Sequence, residues 1–316
     1  MLKENIIIDC DPGHDDAVAL MMAIANKELL NILCVSTVGG NQEISKVTKN
    51  TQNILDFLGV QIPLVEGQAR PLVCDLETGE NAHGDTGLNG PVFNENNYPV
   101  IAEHAQPYLY NLIMDSQSPV TIVALGPLTN IALLVINYPE IVNKIKQIVI
   151  MGGGIDKGNV TASAEFNIYV DPHAAKITFD SGIPIVMAGL NITEKCYIEK
   201  SDFDEWQNKG DIHHLYWEIL SFYYESGKQF GFENSAIHDA VPMAYLLKPE
   251  IFKGSYYPIS VVLEGEFRGT TIADKRLLPE NKNSVFVLEE ADRVAFKDLI
   301  DESLATLDEE RSRHVN

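Results

Sequence analysis

Residues 6–16 read Ile6-Ile7-Ile8-Asp9-Cys10-Asp11-Pro12-Gly13-His14-Asp15-Asp16, an apolar run followed at once by four aspartates. The isoleucines predict a short buried strand, and the two-residue period of a strand places Asp9 and Asp11 on the same face at its C-terminal end. A proline and a glycine then break the strand, and Asp15 and Asp16 open a helical pattern. The sequence therefore predicts that four carboxylates converge where a strand turns into a helix.

A divalent cation is the simplest reason to bring four carboxylates together. Unpaired like charges at short distance raise one another's pKa and destabilise the fold, and a hard cation with oxygen ligands removes that cost. Calcium or magnesium fits best. Helix caps and solvated loop charges explain ordinary aspartate pairs, but four such residues favour a metal site. The segment is not an EF-hand, because Leu20 stands where the bidentate glutamate belongs.

Length and charge limit the class of protein. With 316 residues and 45% hydrophobic composition, the chain can bury a full core, and we expect one large domain over residues 1–316. The 45 acidic residues outnumber the 23 basic ones, giving a formal charge of −22. This charge disfavours nucleic acid and anionic lipid as partners, because no basic cluster offsets it.

The sequence also predicts a soluble, cytoplasmic protein. No apolar stretch approaches the roughly 18 residues that a membrane span needs, and the N-terminus leads into a strand rather than a signal-peptide core. The four cysteines are far apart and form no Cys-x-x-Cys pair, so we expect reduced thiols.

Strand-like runs alternate with helical patterns along the chain. The runs lie at 6–10, 32–38, 120–125, 148–151 and 185–187, and the helical patterns include 45–58, 128–137 and 172–181. This alternation predicts an α/β fold with a mostly parallel central sheet flanked by helices. Ligands bind such sheets at the C-terminal strand edge, where the aspartates and the Gly-rich segments 38–41, 125–130 and 151–154 are expected. The three glycines at 152–154 favour close backbone approach to a ligand over a phosphate loop, since no Lys-Ser/Thr follows.

Further chemistry-bearing residues lie far from the first cluster. His238-Asp239 begins a helical pattern and could add a metal ligand and a proton donor, although a capping aspartate beside a histidine is the commoner arrangement. His83 lies in a turn-rich stretch, either a plain loop or a lid. Segment 158–167 mixes amides, one carboxylate and an aromatic, which suits a neutral, hydroxyl-rich ligand such as a sugar. The chemistry best matched is metal-assisted attack of water on a glycosidic carbon.

With these motifs in order, the chain resembles the inosine-uridine-preferring nucleoside hydrolases nearly end to end. Residues 9–16 match the family's N-terminal calcium signature. The other matching segments are Gly40-Asn41-Gln42, His83-Gly84-Asp85-Thr86-Gly87-Leu88, Gly126-Pro127-Leu128-Thr129-Asn130, Met151-Gly152-Gly153, Glu165-Phe166-Asn167 and His238-Asp239-Ala240.

The resemblance implies a set of roles for individual residues. Calcium (Ca²⁺) would be held by Asp11, Asp16, Asp239 and the main-chain carbonyl of Leu125, with Asp9 supporting from behind. The ribose hydroxyls would be bound by Asp15, Asn41, Asn159, Glu165 and Asn167. The base or its neighbourhood would be faced by His83, Met151, Phe166 and His238.

The resemblance also implies a reaction. Asp11 would take a proton from a calcium-bound water, which attacks the anomeric carbon as the N-glycosidic bond of a ribonucleoside breaks. His238 would protonate or polarise the leaving base. The products are free base and ribose, which implies nucleoside salvage, and the enzyme is expected to be a homodimer or homotetramer.

One departure concerns the leaving base. Where family members often place a tyrosine before the His-Asp pair, this chain has Gln229 and Phe230, and phenylalanine lacks a hydroxyl for proton relay. The motifs do not rank purines against pyrimidines, because base contacts come from loops near 75–90 and 223–238. His14 is expected to face away from the aspartates, with no chemical role.

Two other classes share part of the pattern. A magnesium phosphohydrolase of the haloacid-dehalogenase type also begins with strand-Asp-x-Asp and would use Asp9 as nucleophile, but the later Lys-plus-acidic-pair layout is missing and Pro12 is poorly placed. A non-enzymatic calcium-dependent sugar-binding module would leave His238 and the water-activating Asp11 without a purpose.

Overall fold

The computed structural model describes residues 3–229, 231–276 and 284–315, with side chains as far as Arg313. Its strands are β1 (Glu4–Cys10), β2 (Leu30–Thr37), β3 (Leu64–Glu66), β4 (Val100–Ala102), β5 (Val120–Ala124), β6 (Ile145–Met151), β7 (Ile185–Ala188), β8 (Tyr197–Ile198), β9 (Ser235–Ala236), β10 (Phe252–Val261), β11 (Thr271–Ala273) and β12 (Ser284–Ala291).

The helices alternate with these strands over most of the chain. They are α1 (His14–Ala25), α2 (Ile44–Phe57), α3 (Glu80–His83), α4 (Ala105–Asp115), α5 (Thr129–Asn137), α6 (Phe166–Val170), α7 (Pro172–Phe179), α8 (Leu190–Thr193), α9 (Lys200–Asp204), α10 (Asp211–Lys228), α11 (Ala240–Leu247) and α12 (Arg293–Val315). Short 3₁₀ turns cover Pro139–Lys144, Glu205–Asn208 and Pro249–Ile251.

The main sheet has the order β11-β10-β12-β7-β6-β5-β1-β2-β3-β4. All pairs from β12 to β4 are parallel, whereas β10 pairs antiparallel with both β12 and β11. The prediction of a mostly parallel sheet flanked by helices is confirmed. The five predicted strands and the three predicted helices all form, with ends displaced by a few residues.

The triple isoleucine explains why β1 lies inside this sheet. Ile6 and Ile8 pack into a core under α1, α10, α11 and α12, while Ile7 packs into the core on the opposite face, against α4 and α5. The two-residue period of a strand separates the side chains in this way, so a strand covered on both faces reads as a continuous apolar run. Hydrophobic burial on both sides holds β1 between β5 and β2.

The parallel register brings four strand ends to one edge. Asp9 pairs with Ser36 of β2 and with Ala124 of β5, and Ala124 in turn pairs with Ile150 of β6. The segments that follow these strands therefore meet at the C-terminal edge of the sheet, where α/β sheets bind ligands. All four cysteines are free thiols. Within the described ranges, no helix combines the length and apolarity needed to cross a membrane.

Candidate active site

Buried carboxylates from three segments meet at this edge. Asp11 follows β1, Asp15 and Asp16 lie in the first turn of α1, and Asp239 immediately precedes α11. Carboxylate oxygens of Asp15, Asp16 and Asp239 lie within 4.8 Å of one another. Asp239 stands at the N-cap position, yet its side chain makes no capping hydrogen bond. The capping explanation for this aspartate therefore fails, and its carboxylate belongs to the cluster.

Backbone amides hold Asp16 and Asp11 in fixed orientations. Asp16 Oδ2 accepts hydrogen bonds from the Gly13 N–H at 2.9 Å and from Asn41 Nδ2 at 3.3 Å. Asp11 Oδ2 accepts one from the Asn41 N–H at 2.6 Å, whereas Asp11 Oδ1 is buried without a partner in the described structure. A Cβ on Gly126 would lie 2.5 Å from Asp11 Oδ1, so this close approach requires glycine. Asp11 thus keeps one free oxygen.

Asp9 lies behind this group, fully buried in β1. Its Oδ1 accepts hydrogen bonds from Ser36 Oγ at 2.5 Å and from Asn130 Nδ2 at 2.8 Å, while Oδ2 has no partner in the described structure. Burial raises the pKa of Asp9 to about 6, against the opposing effect of these two hydrogen bonds.

The electrostatics of the cluster favour a bound cation. Burial raises the pKa of Asp15 to about 7, and the charge of Asp16 adds to this shift. Burial also raises the pKa of Asp16, and the pKa values of Asp11 and Asp239 are raised well above the ordinary range by burial and then by neighbouring carboxylates. Such groups are costly to ionise together unless a positive charge lies among them.

The donor set fits a hard divalent cation. It consists of carboxylate oxygens, among them the unpartnered Asp11 Oδ1, and main-chain carbonyls nearby; calcium and magnesium prefer such oxygens. The Leu125 carbonyl reaches the same region and accepts a hydrogen bond from Asn167 Nδ2 at 2.7 Å. Among the described residues, the carboxylate group whose oxygens lie within 4.8 Å of one another includes Asp15, to which the resemblance gave a ribose role, and does not include Asp11.

A cavity of 440 Å³ opens above the carboxylates, within the range of small-molecule sites. Most of the predicted site residues line it: Asp15, Asn41, His83, Leu125, Met151, Asn159, Glu165, Phe166, Asn167, His238 and Asp239. Asp9, Asp11 and Asp16 are fully buried and do not line it. The predicted residues are therefore brought together around one cavity, with three aspartates beneath its surface.

Glu165 and Asn167 are held by the start of α6. Glu165 is its N-cap, and the carboxylate accepts hydrogen bonds from the backbone N–H groups of Asn167, Ile168 and Gly153 at 2.8–3.1 Å. Burial raises the pKa of Glu165 to about 7, and these hydrogen bonds oppose the shift. The Asn159 Oδ1 accepts from the Phe166 N–H at 3.0 Å, which ties the preceding loop to the same helix.

Two histidines border the cavity. His238 Nδ1 lies 2.7 Å from Thr193 Oγ1, and burial lowers the pKa of His238 to about 4 although its ring keeps some exposure to the cavity. His83 is 7% exposed and lies at the end of α3, whereas Asn81, Asp85 and Thr86 of the same stretch are exposed. Burial lowers its pKa well below the ordinary value.

The sequence interpretation gave no role to several residues of the cavity wall. Tyr223, Ser226 and Gly227 of α10 line the cavity, within the stretch 223–238 from which base contacts were expected, but none of them was singled out. Their i, i+3, i+4 spacing puts them on one helix face and is the signal that could have identified them. Lys157, Glu194 and Phe232 also line the cavity. Phe230, which lacks the hydroxyl of the family's tyrosine, lies outside the described residues.

Comparisons with known proteins agree with this geometry. The family model of the inosine-uridine preferring nucleoside hydrolases matches residues 6–298. The pyrimidine-specific ribonucleoside hydrolase RihA of Salmonella paratyphi B is 42% identical over 304 residues, covering 95% of this chain and 97% of the relative. RihA of Citrobacter koseri is 41% identical over 305 residues, with the same coverage.

Solved structures share the fold along nearly the whole chain. The plant nucleoside hydrolase PpNRh1 superposes with a TM-score of 0.89 at 29% identity, covering 96% of this chain and 99% of that one. The purine-preferring ribonucleoside hydrolase from Gardnerella vaginalis superposes with a TM-score of 0.90 at 26% identity, with the same coverage of both chains. This chain therefore belongs to the inosine-uridine preferring nucleoside hydrolase family and is an N-ribosyl hydrolase.

Proposed function

We propose that this enzyme hydrolyses the N-glycosidic bond of pyrimidine ribonucleosides with bound calcium, giving free base and ribose for nucleoside salvage. The observation that carries the proposal is the buried aspartate cluster beneath a nucleoside-sized cavity. The base class is supported by 42% identity to relatives named pyrimidine-specific, against 26% for the relative named purine-preferring. Family membership rules out the phosphohydrolase and the non-enzymatic sugar-binding module.

Calcium would be held by Asp11, Asp16, Asp239 and the Leu125 carbonyl. The free Asp11 Oδ1, the short separations of the Asp16 and Asp239 oxygens, and the raised pKa values of the three aspartates support this assignment. When bound, the ion would lower the pKa of a water and offset the negative charge of the carboxylates.

Asp11 is the proposed general base. Its Oδ2 accepts a hydrogen bond from the Asn41 N–H, so Oδ1 would use one lone pair to bind calcium and the other to accept a proton from the attacking water. The positive charge proposed beside it would keep Asp11 ionised, which a general base must be before it accepts a proton.

The ribose hydroxyls are assigned to Asp15, Asn41, Asn159, Glu165 and Asn167, all on the cavity wall. The ribose gains positive charge as the glycosidic bond breaks, and carboxylates fixed in advance stabilise that charge without reorganising. Glu165 is pre-positioned in this way by three backbone N–H groups.

The base is assigned to His83, Met151, Phe166 and His238. The low pKa of His238 makes its ring neutral at pH 7, and we assign the Thr193 hydroxyl as the donor to Nδ1. The ring hydrogen then lies on Nε2, which would polarise the departing base by donating a hydrogen bond to it. Assistance that extends to proton transfer is typically worth about a hundredfold to ten-thousandfold in rate.

Two further proposals concern the cellular setting. The four free thiols are compatible with a cytoplasmic location. The homodimer or homotetramer implied by the family resemblance stays a prediction, and light scattering on the purified enzyme measures it.

A substrate panel tests the proposed function. We expect kcat/KM for uridine and cytidine to exceed that for inosine and adenosine by about a hundredfold, a difference of about 2.7 kcal/mol. Release of free base should run at the same rate with and without inorganic phosphate, because water is the nucleophile. Higher kcat/KM for inosine would overturn the base class, and phosphate-dependent release would overturn hydrolysis.

A further inference from the structure

His14 links the N-terminal aspartate segment to the base side of the cavity. Its ring is fully buried at the start of α1, and its Nε2 lies 2.8 Å from the Asn89 carbonyl oxygen. Its Nδ1 lies 3.1 Å from Nδ1 of His83. The expected orientation away from the aspartates agrees with these contacts, but His14 touches a residue of the cavity wall.

These two contacts determine which nitrogens carry protons. A carbonyl oxygen only accepts, so His14 Nε2 must carry a hydrogen, and a neutral imidazole then has a bare Nδ1. Two bare nitrogens would repel each other at 3.1 Å. The hydrogen between the rings therefore belongs to His83 Nδ1, which donates to His14 Nδ1.

Burial supports the neutral form of both rings. His14 and His83 are 0% and 7% exposed, and neither makes a hydrogen bond to a carboxylate among the described residues. A buried imidazolium without such a partner is costly. Complete or nearly complete burial without an anionic partner therefore favours the neutral form of both rings.

A second, longer contact competes for the same nitrogen. The backbone N–H of His14 lies 3.4 Å from His83 Nδ1 and could donate to it if that nitrogen were bare. The shorter ring-to-ring contact excludes this while His14 Nδ1 is an acceptor. Loss of the His14 ring nitrogen would therefore let His83 change to the other tautomer, with the hydrogen on Nε2.

The rings and the loop are held in place by their surroundings. The His14 ring stacks on Phe222 at 5.1 Å and 7° and on Tyr223 at 5.4 Å and 8°. The loop from His83 to Asn89 is closed by the Asn89 N–H, which donates to the His83 carbonyl at 3.3 Å. Stacking and loop closure hold the two ring planes and the loop in place.

We propose that His14 is a positioning residue that fixes His83 in the Nδ1–H tautomer, so that Nε2 of His83 is a hydrogen-bond acceptor on the base side of the cavity. His83 lines the cavity, and no described residue bonds its Nε2. The ligand must therefore offer a donor there, such as the N3–H of uracil or the exocyclic amine of cytosine. The link to the base rests on the proposed function, whereas the tautomer does not.

Two substitutions separate hydrogen bonding from packing. His14→Phe keeps a flat ring against Phe222 and Tyr223 but removes the acceptor. His14→Gln keeps both polar functions, since its amide can donate to Asn89 and its oxygen can accept from His83. Melting temperatures and circular dichroism of both variants, compared with the native protein, verify folding.

The first readout is the ¹⁵N spectrum of histidine-labelled protein, with the His83 signals assigned by their loss in His83→Asn. Ring nitrogens that carry a hydrogen and ring nitrogens that do not have well-separated ¹⁵N chemical shifts. We expect a bare Nε2 on His83 in the native protein and in His14→Gln, and a protonated Nε2 in His14→Phe. A protonated Nε2 in the native protein would overturn the proposal, even if the enzyme proved inactive on nucleosides.

The second readout is kcat/KM for uridine. A hydrogen on the wrong atom of a buried polar contact typically lowers kcat/KM by about tenfold to a hundredfold. We expect a loss of that size in His14→Phe. In His14→Gln we expect kcat/KM to stay within about threefold of the native value. If kcat/KM fell equally in both variants while the His83 tautomer stayed the same, the proposal would be wrong and His14 would act only by packing. No hydrolysis by the native enzyme would instead reject the proposed function, and the tautomer result would stand apart from it.

Discussion

At the residue scale, the site places polar side chains where the hydroxyl groups of a sugar could form hydrogen bonds with them. Asp15, Asn41, Asn159 and Asn167 all line the cavity, and Asp15 lies in the carboxylate group beneath it. A site built to bond a hydroxyl rejects a ligand without it, because its own buried groups are then left unpaired.

Removal of the ribose 2′-hydroxyl should therefore be costly. We expect kcat/KM for 2′-deoxyuridine to be about a hundredfold to ten-thousandfold below that for uridine, a free-energy difference of roughly 3 to 5 kcal/mol, because polar groups of the site lose their partner. Parallel base-release assays measure the ratio. 5′-Deoxyuridine, which keeps the 2′ and 3′ hydroxyls, is the matched control. Equal turnover of uridine and 2′-deoxyuridine would contradict the assignment of the ribose site.

His238 should matter more for one class of base than for the other. Purines and pyrimidines differ in how much they need a proton in order to leave, so His238→Ala should lower kcat unevenly for inosine and uridine, by about a hundredfold or more for the more dependent base. His104→Ala, at an exposed histidine outside the cavity, is the control. Unchanged kcat for both substrates would reduce His238 to a packing residue beside Thr193.

At the element scale, the C-terminal helix α12 caps the N-terminus of α10, the helix that supplies part of the cavity wall. Asp308 of α12 accepts hydrogen bonds from the N–H groups of Ile212 and His213, at 2.8 and 3.3 Å, in the first turn of α10. Gly210 at the N-cap has no side chain to do this. A remote aspartate thus caps α10, whose other end carries Tyr223 and Ser226 to the cavity.

This cap gives the folded state a defined dependence on pH. Burial raises the pKa of Asp308, but hydrogen bonds from His213 and Ile212 outweigh burial and hold that pKa below its usual value. The stabilisation is therefore present above the unfolded-state pKa of about 3.9 and is lost as pH falls through the lower folded-state value.

Asp308→Ala should lower the free energy of unfolding by about 1–2 kcal/mol at pH 7, as the loss of an N-cap does. The difference from the native protein should shrink as pH falls below about 3.9, and it should approach zero only below the lower folded-state pKa, where the carboxylate is protonated in both states. Urea unfolding across this pH range measures it. Asp298→Ala, at an exposed position of the same helix, is the control. A difference that persists unchanged at low pH would contradict the charged cap.

The local sequence pattern predicted those elements whose formation depends on residues close together in the sequence. The triple isoleucine, the Pro-Gly break and the first-turn aspartates each act over a few residues, so β1, α1 and the carboxylate cluster followed from the sequence. The same pattern could not place Tyr223 beside His83, because that contact joins segments about 140 residues apart through the packing of α3 on α10. Residue roles beyond the geometry came from the family resemblance.

At the scale of the whole molecule, one sheet connects the two ends of the chain. β1 and β12 belong to the same main sheet, separated by β5, β6 and β7. We therefore propose that residues 1–316 unfold as one domain. The chain as a whole carries a formal charge of −22. A cation at the sheet edge would relieve the repulsion among the buried aspartates and link stability of the fold to the reaction.

Uridine hydrolysis before and after removal of metal tests the central claim most directly. The enzyme is chelated exhaustively, shown by elemental analysis to be free of metal, and assayed with and without added calcium. We predict loss of at least about 99% of kcat/KM, recovery with calcium, and weaker recovery with magnesium, whose strict octahedral geometry suits a cluster of carboxylates and ribose hydroxyls less well. Full activity of the metal-free protein would contradict the account.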